Sequence, residues 1–302
     1  MRSEPENRLP PLGFIGVGAM GGAMARNLLS AGYPLIAFDI SAERLDAIVA
    51  AGAERGETAP DVVRRSTVVL TSLRSSAIFV EVAEQHLVPN ARPGQVFIDL
   101  GTTAPPETRR LAAAFAAKGA TLLDVPVSGG PHGIETHTLR MFAGGDEGAF
   151  ARCRPIIEAI GGPNHVVHCG PSGAGQIVKG VNQLAMGLGD AAYMEALAFG
   201  IRAGVDPKAI RQAVGGDDGF RRHFAAIADR VIEGKGEGLW VKFPELPYFL
   251  AEAREKGFPL PLTEALHAFL SSADPRWRDN MLRPTVSFWH EVLTRRPRGE
   301  LY

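Results

Sequence analysis

The first 170 residues alternate between short apolar runs and longer stretches in which apolar residues recur with a helical period. Each apolar run is bounded by turn residues, which is typical of buried strands. The runs lie at residues 12–17, 35–39, 68–71, 96–99, 122–124, 140–143 and 166–168. Strands that alternate with helices favour parallel pairing. The pattern therefore predicts a doubly wound α/β sheet, with its first two helices over residues 19–31 and 42–51.

The pattern changes after residue 172. A single long helix is predicted over residues 173–203, and helical segments broken by glycine and proline continue to the end of the chain. We therefore expect three parts. These are a flexible tail at residues 1–11, an α/β domain at 12–172 and an all-helical domain at 173–302 that opens with the long helix.

The composition limits the classes of function. In a chain of 302 residues, 45 % are hydrophobic and the formal net charge is −1, which is typical of a globular protein and not of a nucleic-acid-binding surface. No unbroken apolar run is long enough to cross a bilayer. The two cysteines, Cys153 and Cys169, form no metal or disulfide motif, so we expect a cytoplasmic protein that acts on a small molecule, without nucleic acid or membrane as partner.

A glycine-rich segment follows the first predicted strand. Gly16, Gly18 and Gly21 have GxGxxG spacing, directly between a strand and a helix. Such glycines permit a tight turn, close approach to a pyrophosphate, and close packing of helix and strand. The helix N-terminus then offers N–H groups to the phosphates. We expect dinucleotide binding here, with Ala19 and Met20 in the same loop. The alternative is a purely structural turn.

An acidic residue, Asp39, ends the second predicted strand. It lies where a carboxylate can accept hydrogen bonds from the hydroxyls of the adenosine ribose. The same charge would repel a 2′-phosphate, and no arginine follows at once. We therefore expect NAD as the cofactor, with NADP disfavoured. The alternative is that Asp39 only caps the following helix.

The segment from Ser128 to Gly130, with sequence SGG, follows another strand-like run. It presents a hydroxyl group and bare backbone N–H groups together, which suits a carboxylate or phosphate oxygen. A flexible turn explains the same three residues equally well.

The long helix carries a lysine beside polar neighbours. Lys179, Asn182 and Gln183 lie at i, i+3 and i+4 and therefore share a helix face. We expect the helix to pack through a separate aliphatic stripe, which comprises Ile177, Val181, Leu184 and Leu188. Glycines near the lysine indicate close approach by a ligand or another backbone. A solvated surface lysine is the alternative.

Four segments in order give the chain its resemblance to a known family: GFIGVGAMGGAMARNLL, DLGTTAP, DVPVSGGPHG and GAGQIVKGVNQL. Together they resemble the β-hydroxyacid dehydrogenases, which include 3-hydroxyisobutyrate dehydrogenase and 6-phosphogluconate dehydrogenase. The resemblance implies a Rossmann-type NAD-binding domain and a helical domain for substrate binding and oligomerisation. It also implies an active site in the cleft between them, a homodimer or homotetramer, and no metal.

The resemblance also implies roles for individual residues. Lys179 matches the general acid/base lysine, and Asn182 matches its substrate-orienting partner. Ser128, Gly129 and Gly130 match the segment that binds the substrate carboxylate. The cofactor-binding set comprises Gly16, Gly18, Ala19, Met20, Gly21, Asp39, Leu73 and Thr102.

Three departures from the family pattern keep other functions open. Gly101 replaces a usual serine, His137 replaces a usual glycine, and Pro244 stands where many members have a second lysine. We expect NAD-dependent oxidation of a small 3-hydroxy acid, or reduction of the matching semialdehyde. The alternatives are a reductase of a longer aldehyde or an imine, and a non-catalytic dinucleotide-binding protein.

Overall fold

The computed structural model describes residues 11–233 and 245–271. The chain divides into two compact units, Met1–Lys179 and Gly180–Tyr302, and the division falls inside one long helix. The first unit is an α/β domain with a mostly parallel sheet, and the described part of the second unit is helical. The predicted fold class is therefore confirmed.

The described strands of the first unit form one sheet in the order β3-β2-β1-β4-β5-β6-β8-β7, with β9 paired to β8. The strands are β1 (Leu12–Ile15), β2 (Leu35–Phe38), β3 (Glu54–Arg55), β4 (Val68–Thr71), β5 (Val96–Asp99), β6 (Thr121–Asp124), β7 (Val127–Ser128), β8 (Arg140–Gly144) and β9 (Val166–Gly170). Strands β1 to β6 pair in parallel. Strand β8 is antiparallel to β6 and β7, so the parallel pairing that the alternation favours does not extend to this edge.

Helices cover both faces of this sheet and continue into the second unit. They are α1 (Ala19–Ser30), α2 (Ala42–Val49), α3 (Ala59–Arg65), α4 (Ser76–Val82), α5 (Pro105–Ala116), α6 (Gly130–Glu135), α7 (Glu147–Gly161), α8 (Ala174–Arg202), α9 (Pro207–Val214), α10 (Gly219–Ile232), α11 (Leu246–Lys256) and α12 (Pro261–Leu270). Short turns of other helix types lie at Ala83–Leu87, Val88–Asn90 and Pro163–His165.

The alternation of side chains along the strands explains the continuous apolar runs of the sequence. In β5, Val96 and Ile98 enter one hydrophobic cluster, whereas Phe97 enters the cluster on the opposite face. Both faces of a parallel sheet are covered by helices, so both sets of side chains must be apolar. The carboxyl ends of these strands are then left to form the ligand-binding edge.

Near its start, α8 buries polar side chains and exposes aliphatic ones. Gln176, Lys179 and Gln183 are buried, whereas Ile177 and Val181 are 40 % and 62 % exposed. The expectation that Ile177 and Val181 belong to the packing stripe is therefore wrong. The physical reason is that Gln176 and Gln183 find hydrogen-bond partners inside the protein, which makes burial of the polar face possible.

Farther along, α8 contributes to the apolar core of the second unit. Leu184 and Leu188 pack against a cluster with Leu246 and Leu266, and Leu197 is fully buried in a second cluster. By length and composition alone α8 could cross a membrane. Asp190 of α8 is buried, and its carboxylate lies 2.6 Å from Nε2 of His223 in α10 of the same unit.

Candidate active site

The loop between β1 and α1 has the backbone that the glycine spacing predicts. Gly16 has a φ of +89°, and a Cβ atom added there would lie 2.6 Å from the carbonyl oxygen of Ser72. A Cβ at Gly21 would lie 2.0 Å from the carbonyl oxygen of Gly16. A Cβ at Gly18, in contrast, would meet only Nη1 of Arg44, at 3.8 Å. Gly16 and Gly21 thus serve close packing, and Gly18 leaves open space at the N-terminus of α1.

Asp39 joins the end of β2 to this glycine loop. One carboxylate oxygen accepts a hydrogen bond from the backbone N–H of Val17 at 2.9 Å, and the other accepts one from Ser41 at 2.8 Å. The carboxylate orientation is therefore fixed by the backbone on both sides. Each oxygen has a further lone pair, so both can still accept bonds from ribose hydroxyls.

A cavity of about 420 Å³ lies at this edge of the sheet. It brings together four residues that the sequence assigned to the cofactor, namely Gly16, Gly18, Asp39 and Leu73. Its wall is largely apolar, which suits an adenine ring. The residues present therefore fit the adenosine half of a dinucleotide. Ala19 and Met20 form the exposed and partly exposed start of α1, outside the cavity wall.

Two arginines in the cavity wall were missed by sequence reasoning. Arg44, in the first turn of α2, and Arg74, after β4, both line the cavity that contains Asp39. An arginine near the ribose site can accommodate a 2′-phosphate. Arg44 lies five positions after Asp39, and the fold brings it to the same cavity, a proximity that the positions directly after Asp39 do not show.

The loop after β5, which contains Thr102, rests on the buried carboxyl group of Asp99. The Asp99 carboxyl accepts hydrogen bonds from the hydroxyls of Thr71 at 3.1 Å and Thr103 at 2.7 Å, and from the N–H of Gly101 at 3.0 Å. Burial raises the pKa of Asp99 to about 7. Thr102 is partly exposed between two anchored neighbours and does not line the adenosine cavity.

The start of α8 rests on a second buried carboxyl group, that of Asp124 at the end of β6. It accepts hydrogen bonds from the backbone N–H groups of Gly173 at 2.9 Å and Gln176 at 3.0 Å. Burial raises the pKa of Asp124 to about 6, against the opposing effect of these bonds. Sequence reasoning assigned roles to neither Asp99 nor Asp124. Both residues could have been found from the sequence, because they are the first residues of the segments DLGTTAP and DVPVSGG.

The SGG segment lies four residues beyond Asp124. Ser128 ends β7, opposite Arg140 of β8, and the chain then turns through Gly129 and Gly130 with φ of +133° and +62°. Two successive positive φ values favour glycine at both positions. A Cβ at Gly130 would meet no atom of residues 11–233 and 245–271 within 4 Å, so this part of the chain leaves space around the Gly130 backbone.

Lys179 lies on α8 in the same compact unit as the glycine loop and the SGG segment, and its side chain is only 6 % exposed. This burial contradicts the alternative of a solvated surface lysine. The glycines around it serve contacts within the protein. A Cβ at Gly175 would lie 2.2 Å from the carbonyl oxygen of Phe142, and one at Gly180 would lie 2.9 Å from the ring of Phe249.

The next turn of α8 belongs to the second unit. Asn182 is partly exposed, and its amide lies 3.3 Å from the Gln183 side chain. Gln183 donates a buried hydrogen bond to the carboxylate of Glu245 at 2.9 Å. Pro244, the position of the family's second lysine, lies outside the described residues. His137 is described, and it adopts a left-handed φ of +53° in an exposed turn, which accounts for the glycine usual there.

A parallel sheet, a GxGxxG turn at its carboxyl edge and an adjoining cavity with a strand-terminal aspartate define a Rossmann-type dinucleotide-binding protein. Two family models match the chain. Residues 11–170 match the NAD-binding domain of 6-phosphogluconate dehydrogenase, and residues 173–280 match the NAD-binding region of NADP-dependent 3-hydroxyisobutyrate dehydrogenase. The chain belongs to the β-hydroxyacid dehydrogenase family and is an NAD(P)-dependent oxidoreductase that acts on CH–OH groups.

Individual relatives cover most of the chain. A 2-(hydroxymethyl)glutarate dehydrogenase from Eubacterium barkeri is 33 % identical over 83 % of this chain and 85 % of its own. A structure of Mycobacterium tuberculosis 3-hydroxyisobutyrate dehydrogenase with L-serine has a TM-score of 0.78 at 24 % identity, over 95 % of this chain and all of that one. An imine reductase structure from Bacillus cereus has a TM-score of 0.60 at 20 % identity, over 85 % and 90 % of the two chains.

Proposed function

We propose that this chain catalyses the NAD-dependent oxidation of a small 3-hydroxy acid, or the reduction of the matching semialdehyde, with Lys179 as general acid/base. The observation that carries the proposal is the burial of Lys179 in a helix whose first turn is anchored to the strand leading into Ser128.

In this proposal each residue of the site has a separate role. NAD, when bound, would supply the acceptor for the hydride on the carbon that carries the hydroxyl group. Lys179 accepts the hydroxyl proton during oxidation and returns one during reduction, which requires hydrogen-bond reach of the substrate oxygen. Ser128, Gly129 and Gly130 hold the carboxylate, and Asn182 orients the substrate. Thr102 contacts the cofactor near the nicotinamide, while Gly16, Gly18 and Asp39 hold the adenosine and pyrophosphate.

The names of the relatives support a common substrate skeleton. Relatives that are 33 %, 36 % and 37 % identical are named for 2-(hydroxymethyl)glutarate, L-serine and 3-hydroxyisobutyrate. All three compounds contain a CH₂OH group on the carbon next to a carboxylate. They differ in the third substituent on that carbon. A segment that binds the carboxylate and a side chain that accepts the hydroxyl proton are enough to bind and oxidise this shared unit. We therefore infer a 2-substituted 3-hydroxypropionate as the substrate class.

An NAD(P)-linked activity screen tests the proposal. The panel comprises 3-hydroxyisobutyrate, L-serine, glycerate, 4-hydroxybutyrate and a threonate, with aldehydes and cyclic imines in the reductive direction. Turnover of acids that contain the CH₂OH–CH–carboxylate unit is expected. Turnover of cyclic imines alone would favour the imine alternative, which shares the fold. Tight NAD binding without turnover of any compound would favour the alternative of a non-catalytic dinucleotide-binding protein.

We further propose a cytoplasmic homodimer or homotetramer that binds neither nucleic acid nor membrane. The exposed hydrophobic residues of α8, including Ile177, Val181 and the 78 % exposed Phe199, support self-association through this helix. A Phe199→Glu variant should sediment as a smaller species than the wild type. An unchanged sedimentation coefficient would contradict this role of the α8 surface.

A further inference from the structure

The side chain of Gln176 connects two parts of the site. It is fully buried, and its two polar atoms bond to the backbone on either side of Thr102. The carbonyl oxygen accepts a hydrogen bond from the N–H of Thr103 at 3.0 Å, and the amide nitrogen donates one to the carbonyl of Gly101 at 3.0 Å. The loop proposed to meet the nicotinamide is thus held to the first turn of α8.

The backbone of the same residue is held from another direction. The N–H groups of Gln176 and Gly173 both donate to the carboxyl group of Asp124, which leads into the SGG segment. Three segments of the first unit therefore meet at Gln176: the Thr102 loop, the end of β6 and the start of α8.

The position of Gln176 relative to Lys179 gives this junction a consequence for catalysis. The two residues are three positions apart, so they share a helix face and lie about 4.5 Å apart along the helix axis. A shift of the first turn of α8 would be passed on to the Lys179 backbone. Misplacement of a catalytic group by about 1 Å can cost about 100-fold in rate.

We propose that Gln176 is a positioning residue that sets Lys179 relative to the Thr102 loop. This inference rests on the proposed acid/base role of Lys179. Asp99 supports the same loop through its bonds to Gly101 and Thr103, so the loop is fixed on both sides. The carboxamide suits the task because it donates and accepts at once without a charge, between two buried carboxyl groups.

The chain offers a matched control in Gln95. Its side chain is 5 % exposed and also bridges backbone groups: the amide donates to the carbonyls of Val63 and Ser66 at 2.8 Å each, and the carbonyl accepts from the N–H of Arg92 at 2.7 Å. None of these residues belongs to the proposed site. Gln95→Met and Gln176→Met therefore remove similar buried bonds while keeping a side chain of similar length.

The test compares the two variants in the full chain, with 3-hydroxyisobutyrate and L-serine as substrates. In Gln176→Met, kcat should fall about 10- to 100-fold while the Kd for NAD changes less than about threefold. In Gln95→Met, kcat should stay within about twofold of wild type, with a similar loss of stability in urea. Gln176→Asn keeps the amide on a shorter side chain, so its kcat should lie between those of the wild type and Gln176→Met.

Equal kcat values for Gln176→Met and Gln95→Met would overturn the positioning role. Failure of both Gln176 variants to fold, while Gln95→Met folds, would assign Gln176 to the fold alone and also overturn it. Unchanged turnover in Lys179→Ala would instead contradict the proposed function, so the two failures are distinguishable.

Discussion

Asp99 and Asp124 occupy register-paired positions on the neighbouring strands β5 and β6, and both carboxyl groups are almost fully buried. Each supports a different part of the proposed site, the Thr102 loop in one case and the start of α8 in the other. Burial raises the pKa of both groups, and the nearby charge of Asp124 adds to the rise at Asp99. The site is thus built on two carboxyl groups that are costly to ionise.

Stability should therefore fall as the pH rises through the pKa of Asp99. Its folded pKa, about 7, lies above its ordinary value of 3.8, so the folded state binds the proton more tightly than the unfolded state. Between pH 5 and pH 8, this group should lower the free energy of unfolding by at least about 1 kcal/mol. Urea denaturation at both pH values measures the difference. The amide side chain of Asp99→Asn cannot ionise, so the free energy of unfolding of this variant should fall less over the same pH range.

Asp229→Asn is the control for this titration. Asp229 pairs with Arg211, and that hydrogen bond holds its pKa below the ordinary value. The carboxylate is ionised in both states across this pH range, so its removal should leave the slope unchanged. A wild-type slope equal to that of Asp99→Asn would contradict the account of Asp99.

Two glycines of the cofactor loop should respond differently to alanine. Gly21→Ala places a methyl group 2.0 Å from a backbone oxygen, so we expect a loss of about 1 to 3 kcal/mol in stability. Among the described residues, the methyl group of Gly18→Ala meets no atom closer than 3.8 Å, so this variant should fold normally. It should still weaken NAD binding about tenfold or more, because the methyl group enters the pyrophosphate space. Normal NAD affinity in Gly18→Ala would place the pyrophosphate elsewhere.

Coenzyme choice should depend on Asp39 and Arg44 together. Asp39→Asn removes the charge that repels a 2′-phosphate, while Arg44 remains in the cavity wall. The ratio of kcat/KM for NADP over NAD should rise about tenfold or more. Adding Arg44→Ala should reverse much of this gain, whereas Arg64→Ala, an exposed arginine outside the cavity wall, should not. An unchanged ratio in Asp39→Asn would show that Asp39 does not set the preference.

The sequence predicts the sheet well because each strand is short, apolar and ends at turn residues. The runs at 68–71 and 96–99 coincide with β4 and β5 to the residue. Strands β3 and β7 were not predicted, because two residues are too few to show a period. Strand β8 was predicted at residues 140–143, but its antiparallel pairing was not, because pairing direction depends on tertiary contacts.

The candidate site was predictable only where residue type alone signals chemistry. Glycine spacing signals a dinucleotide-binding loop, so Gly18 could be proposed from residue type, whereas the acid/base role of Lys179 was implied by the family resemblance. Gln176 and Asp124 act through hydrogen bonds to the backbone of distant segments, 75 and 52 positions away in two of these bonds. Such partners are set by the fold. The buried face of α8 was misjudged for the same reason, because its polar residues find partners that the sequence does not show.

The central claim is that Lys179 transfers the substrate proton, and turnover by Lys179→Ala tests it most directly. The measurement is kcat at saturating 3-hydroxyisobutyrate or L-serine, with the Kd for NAD determined on the same sample and the exposed Lys118→Ala as control. We predict a loss of about 100-fold or more in kcat with near-normal NAD affinity, and wild-type behaviour for Lys118→Ala. A kcat for Lys179→Ala equal to that of the wild type would contradict the claim.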